Sequence, residues 1–287
     1  MNFLLDEIAR ATQRLAEAGI SSPRTDAEEL AAFVHGVRRD SLHTVSDAEF
    51  DALYWECVAR REVREPLQHI TGRAYFRYLE LQVGPGVFVP RPETEIMVDW
   101  AITTLHAMDV ADPLVVDLGT GSGAIAISIA QEVPRSRVHA VELDPKAAEW
   151  ARHNVETTGH AGRVTVHLGD MHSAVPELNG RADLVISNPP YVPSAERDQV
   201  PPEVRQYDPQ LALWSGQDGL DAVRGLTTTG ARLLRPGGHM AIEHGDGQGI
   251  EMPRLFPESA GWRDVVNHKD LARRDRFVVM RRAESED

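Results

Sequence analysis

Apolar residues return every three or four positions at the start of the chain, then give way to short apolar runs broken by glycines. Leu4, Leu5, Ile8, Ala11 and Leu15 keep helical spacing until Gly19 stops the run. Thr25-Asp-Ala-Glu28 reads as a capping box that opens a second helix carrying Leu30, Ala31, Phe33 and Val34. Ser46-Asp-Ala-Glu49 reads as another, ahead of Phe50, Leu53, Tyr54, Cys57 and Val58. Short helices joined by polar turns predict a small helical bundle. No side chain in it carries chemistry, so it reads as a docking or packing module.

The texture changes at Pro66. In PLQHITGRAYFRYLELQVGPGVFVPRPETE, Leu79, Leu81 and Val83 alternate and a Gly-Pro-Gly follows, which predicts a hairpin linking two domains. A helix starts near Glu93 and runs through Ile96, Val98 and Ala101. From Leu114 the pattern is strand, turn, helix, repeated. Strands are expected at Leu114–Val116, Val138–Val141, Val164–Leu168, Leu184–Ile186 and His239–Glu243, the last entered by a turn at Pro236-Gly-Gly238. Helices are expected at Ala124–Ala130, Pro145–Thr157 and about Leu220–Leu234. Apolar strands alternating with helices imply an α/β domain with a parallel sheet covered on both faces. Val265–Val266 and Phe277–Met280 read as two closing strands. The expected division is a helical domain at 1–72, a hairpin linker at 73–92, an α/β domain at 93–282 and a disordered tail at 283–287.

Charge narrows the partners. A net charge of −14 argues against a protein that grips duplex nucleic acid by its phosphates. Arg60, Arg61, Arg64, Arg73 and Arg77 are candidates for a small basic patch, and a solvated helix face and loop is at least as good a reading. The single cysteine, Cys57, excludes an intrachain disulfide and a cysteine-based zinc site, and its apolar neighbours place it in a core. No signal peptide or membrane span is visible, which makes the cytoplasm the expected location.

Chemistry enters at VVDLGTGSGAIAISIA. A strand ends at Asp117 and Gly119-Thr120-Gly121-Ser122-Gly123 turns into a helix, where glycines let a ligand approach the backbone. Glu142 ends the next strand about 20 residues beyond, where an acid accepts ribose hydroxyls. Both features suit an adenosyl ligand, and suit NAD equally. Asp170, after the third strand, is placed to meet an adenine amino group, or to act as a loop cap. The fourth strand ends in Asn188-Pro189-Pro190-Tyr191, where a hydride-transfer enzyme would need a proton donor. Asn188 offers a side-chain carbonyl and Pro189 a backbone carbonyl without an N–H. Two acceptors side by side hold an NH2 group by its two hydrogens, and Tyr191 offers a ring for stacking. The segment therefore suits a planar amide or exocyclic amine, whose lone pair it would orient for attack. No metal, covalent nucleophile or essential general base is implied. Arg91, Glu93, Glu243 and His244 flank the site, with structural roles at least as well supported for Arg91, Glu93 and His244.

In this order, Asp117–Gly123, Glu142, Asp170 and Asn188–Tyr191 resemble the class I S-adenosylmethionine methyltransferases of planar nitrogens. The linker segment quoted above, YDPQLALWSGQDGLD at Tyr207–Asp221 and IEHGDGQG at Ile242–Gly249 resemble the HemK/PrmC family. The resemblance spans nearly the whole chain. It implies a Rossmann-like methyltransferase domain with a mostly parallel seven-stranded sheet, a helical N-terminal substrate-docking domain and a hairpin between them. It implies methylation of the glutamine side-chain amide in the Gly-Gly-Gln loop of class I peptide chain release factors. Carried over by position, Gly119–Gly123 line the methionine part of S-adenosylmethionine, Glu142 binds the ribose, and Asp170 and Met171 flank the adenine. Asn188, Pro189, Pro190 and Tyr191 hold the glutamine, with Asn188 also near the cofactor. Met171 stands where some members carry an aromatic, and Glu142 where Asp is frequent. The reaction expected is direct in-line displacement by a monomer, without nucleic acid or membrane. The alternatives are a nucleic-acid adenine or guanine N-methyltransferase and a non-catalytic translation-factor adaptor.

Overall fold

The computed structural model describes residues 3–45 and 52–284. The chain divides into two compact units, Met1–Arg73 with Pro201–Tyr207, and Ala74–Val200 with Asp208–Asp287.

The first unit contains α1 (Phe3–Glu17), α2 (Pro23–Val34), α3 (Ala52–Glu62) and α4 (Leu67–Thr71). Leu4, Ile8, Leu15, Leu30, Tyr54, Cys57 and Val58 form its core, which is where Cys57 was expected. α2 starts earlier than the Thr25 capping box predicts, because Pro23 sets the first helical position with Ser22 before it. Ser22 Oγ donates to Asp26 Oδ1 (2.9 Å) and caps no backbone N–H, so Thr25 lies inside the first turn. The Ser46–Glu49 box falls outside the described residues. The basic patch does not form as a free surface, since four of its five arginines face acids and Arg73 lies over the Phe33 ring. Arg60 pairs with Glu65 (2.5 Å), Arg61 with Asp26 (2.7 Å) and Arg64 with Glu203 (3.0 Å). Arg77, in the second unit, pairs with Glu132 (2.6 Å). Glu203 comes from a segment that the sequence division assigned wholly to the α/β domain, as does Tyr207, whose hydroxyl donates to the Val63 carbonyl (3.0 Å).

The second unit carries the hairpin β1 (Arg73–Phe76) and β2 (Leu79–Gln82), then α5 (Glu95–Ala107), β3 (Leu114–Leu118), α6 (Ala124–Glu132), β4 (Arg137–Glu142), α7 (Pro145–Thr157), β5 (Val164–Leu168) and β6 (Ala182–Ser187). After α8 (Pro202–Tyr207, counted with the first unit) come α9 (Asp221–Leu233), β7 (Leu234–Glu243), α10 (Glu251–Arg254), β8 (Trp262–Lys269) and β9 (Asp275–Arg282). The seven-stranded sheet has the order β5-β4-β3-β6-β7-β9-β8. Strands β3 to β7 are parallel, and β9 and β8 close the sheet antiparallel. This is the class I methyltransferase fold. Every residue of β6 is buried, as a central strand covered on both faces requires. One face packs on Met97, Leu105, Ile125 and Ile129 of α5 and α6, the other on Val223, Leu226 and Leu233 of α9.

Three expectations change here. The hairpin is no free linker, because Phe76, Leu79 and Leu81 are buried in the core beneath α5 and α6. Pro236–Gly238 does not precede β7 but lies within it. There the register against β6 jumps from Ala182↔Leu234 to Leu184↔His239, and the proline and the left-handed Gly237 (φ +73°) occupy the bulge. The tail is ordered at its start, with Ala283 N donating to Gly261 O (2.9 Å) and Arg281 paired with Glu284 (3.2 Å). Residues 285–287 lie outside the described residues. No helix among the described residues is long and apolar enough to cross a membrane.

The strand order reverses between β3 and β6, since the chain runs from β3 outward to β4 and β5 and then returns to the other side of β3. The carboxyl ends of strands at such a switch point form the crevice where α/β sheets bind ligands. β3 ends at Leu118, before Gly119, and β6 ends at Ser187, before Asn188. Ser187 Oγ donates to the Leu118 carbonyl (2.6 Å) and ties the two ends together.

Candidate active site

The glycine turn rests on the neighbouring strand. Gly119 N and Thr120 N both donate to the carbonyl of Val141 in β4 (2.9 and 3.0 Å). Gly121 N donates to Glu142 Oε2 (2.8 Å), and Glu142 Oε1 accepts from Asp144 N (2.9 Å). Gly119, Gly121 and Gly123 all have left-handed backbones (φ +76°, +56° and +86°). A side chain on Gly121 would meet no protein atom within 4 Å, so the space above it is open. Asn154 of α7 steadies the turn from behind. Its Nδ2 donates to the carbonyls of Ser122 (2.9 Å) and Gln82 (2.9 Å), and its Oδ1 accepts from Gln82 N (2.8 Å).

Asp117 lies at the floor of this turn and is fully buried. Thr120 Oγ1 donates to its Oδ2 (2.5 Å), while Oδ1 is buried without a hydrogen-bond partner. Burial pushes its pKa up to about 7, against the Thr120 hydrogen bond, and nearby Glu142 adds to the rise. Burial also raises Glu142, opposed by the backbone N–H groups it accepts. Further along the edge, Asp170 is exposed and its Oδ1 accepts from His172 N (2.9 Å), while Met171 packs on the α9-side core.

Across the switch point stands Asn188. Its backbone carbonyl lies 4.0 Å from where a side chain on Gly119 would begin, so the glycine turn and the Asn188 segment face each other closely. Asn188 Nδ2 donates to Oγ1 of Thr94 (3.2 Å), a residue only 3% exposed. Pro189 is buried, and Pro190 and Tyr191 are half-buried. Tyr191 OH donates to Glu243 Oε1 (3.4 Å) at the end of β7. The Tyr191 carbonyl accepts from Gln248 Nε2 (3.0 Å). Gly219 closes over the same carbonyl, at φ +78°, so tightly that a side chain there would stand 2.2 Å from Tyr191 O. Val192 N donates to Leu213 O (2.8 Å), joining the following residues to the 213–216 segment.

Glu243 is 1% exposed, and burial pushes its pKa up to about 7. The nearby Thr94 hydroxyl, the charge of Arg276 and the Tyr191 hydroxyl pull it down, Glu93 pushes it further up, and its Oε2 is buried without a hydrogen-bond partner. Burial first, and then the Glu243 charge, hold the Tyr191 phenol protonated far above its ordinary range.

Of the flanking residues, His244 is fully buried with Nδ1 on Gly245 O (2.7 Å) and Nε2 on Asn267 Oδ1 (2.8 Å), which leaves neither nitrogen for proton transfer. Arg91 pairs with buried Asp208 (2.8 Å) and lies over Phe88, so it pins its own segment. Burial raises the Asp208 pKa to about 6, and Arg91 opposes the rise. Glu93 is exposed. Thr94, Asn154, Gly219 and Gln248 were not singled out from sequence. Thr94, Gly219 and Gln248 lie within the family-like segments, so they were within view. Asn154 looks like an ordinary polar residue until its burial is known.

Two family models match, the PrmC N-terminal domain at residues 7–72 and the methyltransferase small domain at residues 84–202. The release factor glutamine methyltransferase of Streptomyces coelicolor is 63% identical over 99% of this chain and 99% of its own. That of Mycolicibacterium smegmatis is 43% identical over 98% and 99%. A 4-amino-L-phenylalanine/4-methylamino-L-phenylalanine methyltransferase of Streptomyces pristinaespiralis is 41% identical over 90% of this chain and 89% of its own.

Proposed function

The chain belongs to the release factor glutamine methyltransferase family, and from that premise we propose that it moves a methyl group from S-adenosylmethionine to the side-chain amide nitrogen (N5) of the glutamine in the Gly-Gly-Gln motif of class I peptide chain release factors. The observation that carries this reading is Asn188 at the switch point, with its Nδ2 occupied by Thr94 and its carbonyl left for a substrate N–H.

The open space over Gly121 and the unpaired buried oxygen of Asp117 fit an adenosyl ligand with a cationic amino-acid end. Gly119, Thr120, Gly121, Ser122 and Gly123 would line it beside Asp117. Glu142 would accept from its ribose, and Asp170 and Met171 would flank its adenine. Once bound, it supplies an electrophilic methyl on a positively charged sulfur.

This chain's own residues then prepare the nucleophile. Asn188 Oδ1 and the Pro189 carbonyl accept the two amide hydrogens, which aims the nitrogen lone pair and stabilises positive charge as the nitrogen attacks in line. Pro190 stiffens the turn, and the Tyr191 ring stacks on the planar amide. The surplus proton passes to water. The helical N-terminal residues 1–72 dock the release factor, and the protein works in the cytoplasm as a monomer.

The relative named for 4-amino-L-phenylalanine favours a second reading, in which the NH2 belongs to a small aryl amine. The higher full-length identity to a release factor enzyme ranks it second. The test offers labelled S-adenosylmethionine with purified class I release factor, its Gln→Ala variant in Gly-Gly-Gln, DNA, and 4-aminophenylalanine, each alone. Label is expected on the release factor and absent from the Gln→Ala variant. Label only on 4-aminophenylalanine selects the second reading, and label only on DNA overturns both. Label on none leaves a non-catalytic adaptor.

A further inference from the structure

A backbone is fastened through its N–H and carbonyl groups, and the Asn188–Tyr191 segment is short of the first kind. Pro189 and Pro190 have no N–H. The Pro189 carbonyl has to stay open if it is to meet a substrate hydrogen. The structure fastens the segment further along, at the Tyr191 carbonyl, which accepts from Gln248 Nε2 (3.0 Å).

Gln248 is buried and uses both ends of its amide. Nε2 also donates to the Asp218 carbonyl (3.2 Å), and Oε1 accepts from Gly245 N (2.9 Å). Two carbonyls at one end and an N–H at the other allow only one orientation of the amide. Gln248 N donates to Gly245 O (3.0 Å), so the side chain stands on a turn that it also closes. That turn lies against the Tyr191 ring, since a side chain on Gly245 would begin 3.6 Å from Tyr191 Cδ2. A side chain on Gly219 would begin 2.6 Å from Gln248 Nε2, so the 218–219 turn comes this close only because a glycine is there. We infer that Gln248 is a positioning residue for methyl transfer. By holding the Tyr191 carbonyl against the 218–219 and 245–248 turns, it sets the angle of the Tyr191 ring and, through two prolines of fixed φ, that of the Pro189 carbonyl. This inference rests on the proposed function in taking Asn188–Tyr191 to hold the substrate amide.

Few side chains could take its place. Glutamate keeps the length, but its ionised form would set a carboxylate against two carbonyls. Asparagine keeps the amide and is one methylene short. Alanine leaves the Tyr191 and Asp218 carbonyls without this donor, which loosens the segment up to Val192, whose N–H is held separately by Leu213 O (2.8 Å). The cofactor side is independent, because Gly119, Thr120 and Gly121 hang on Val141 and Glu142.

The test has two arms. In the free protein, amide hydrogen exchange is expected to speed up by about tenfold or more at Tyr191 and Val192 in Q248A, with β6 unchanged. In the transfer assay, Q248A is expected to lower kcat by about tenfold or more with cofactor affinity held within about threefold. In Q248E, turnover should fall as pH rises, because the new buried carboxyl can donate only while protonated. A double-mutant cycle separates positioning from general support of the fold. In N188A the clamp has already lost its acceptor, so adding Q248A should lower kcat by less than about threefold more. Unchanged exchange in Q248A, a wild-type pH profile in Q248E, or losses that multiply in the cycle overturn the inference. A wild-type protein that leaves release factor unlabelled sinks the proposed function instead, and the exchange arm still decides whether Gln248 fastens the segment.

Discussion

The glycine turn after β3 is held mostly by two successive residues of the adjoining strand, whereas the Asn188–Tyr191 segment is held by side chains drawn from distant parts of the chain. Gly119 and Thr120 hang on the Val141 carbonyl, and Gly121 on the acid that follows one residue later. Asn188 and Tyr191 depend on Thr94, Gln248 and Glu243, separated from them by 94, 57 and 52 residues. A ligand common to many enzymes can be met by a local, repeatable device. A particular substrate amide needs a polarity and an angle, and those are set by side chains converging from several elements. Substitutions on the two sides should therefore fail differently.

Asn188→Ala is the largest break on the substrate side. Removal of the acceptor is expected to lower kcat by about 100-fold or more while cofactor affinity changes by a modest factor. Single-turnover transfer and calorimetric cofactor binding on the same variant separate the two. Near-normal turnover would remove Asn188 from its role, and a lost cofactor site would merge the two sides.

Two glycines sharpen the contrast at smaller cost. Gly219→Ala combines a left-handed backbone with a methyl 2.2 Å from the Tyr191 carbonyl, a fixed backbone atom. It should destabilise the free protein by on the order of 3 kcal/mol, seen in urea unfolding. Gly121→Ala has the same backbone penalty and open space in place of the collision. It should cost only about 1 kcal/mol in stability. Its loss should fall instead on cofactor affinity, because the methyl enters the space a ligand would use. Equal destabilisation by the two would mean that the clamp over Tyr191 gives way.

The same contrast decides what could be read from the chain beforehand. α7 and β5 fall at the expected residues, and Glu142, Asp170 and Asn188 at the expected strand ends, because period, glycine and strand end are local signals. Pro236–Gly238 misled because a bulge within a strand and a turn before one use the same residues. Thr94 sits among the charged and proline residues of PRPETE and shows its part only when β6 brings Asn188 to it. The pairing of Arg60, Arg61 and Arg64 with Glu65, Asp26 and Glu203 was equally invisible, since a run of arginines carries no trace of the acids that will meet it.

The smallest effect tests the cofactor side from below. Asp117 is a carboxyl whose folded pKa, about 7, lies above the ordinary aspartate value of 3.8. Such a group binds its proton more tightly folded than unfolded, so its contribution to stability is greatest in acid and is lost as pH rises through about 7. Asp117→Asn removes the buried charge and keeps the shape. The Thr120 hydroxyl can turn to accept from the new amide, so the local hydrogen bond survives. The variant should melt a few degrees above wild type at pH 8, with the gain shrinking towards pH 5, where Asp117 is already neutral. Its affinity for S-adenosylmethionine should fall at the same time, because the unpaired anionic oxygen that fits a cationic ligand is gone. Thermal melts at the two pH values and calorimetric binding at pH 8 measure both. A variant that melts lower than wild type by the same margin at both would mean that the charge is no burden to the fold. The two sides of the site would then share the same economy, in which every group stabilises the free protein, instead of one side keeping a destabilised carboxylate for its ligand.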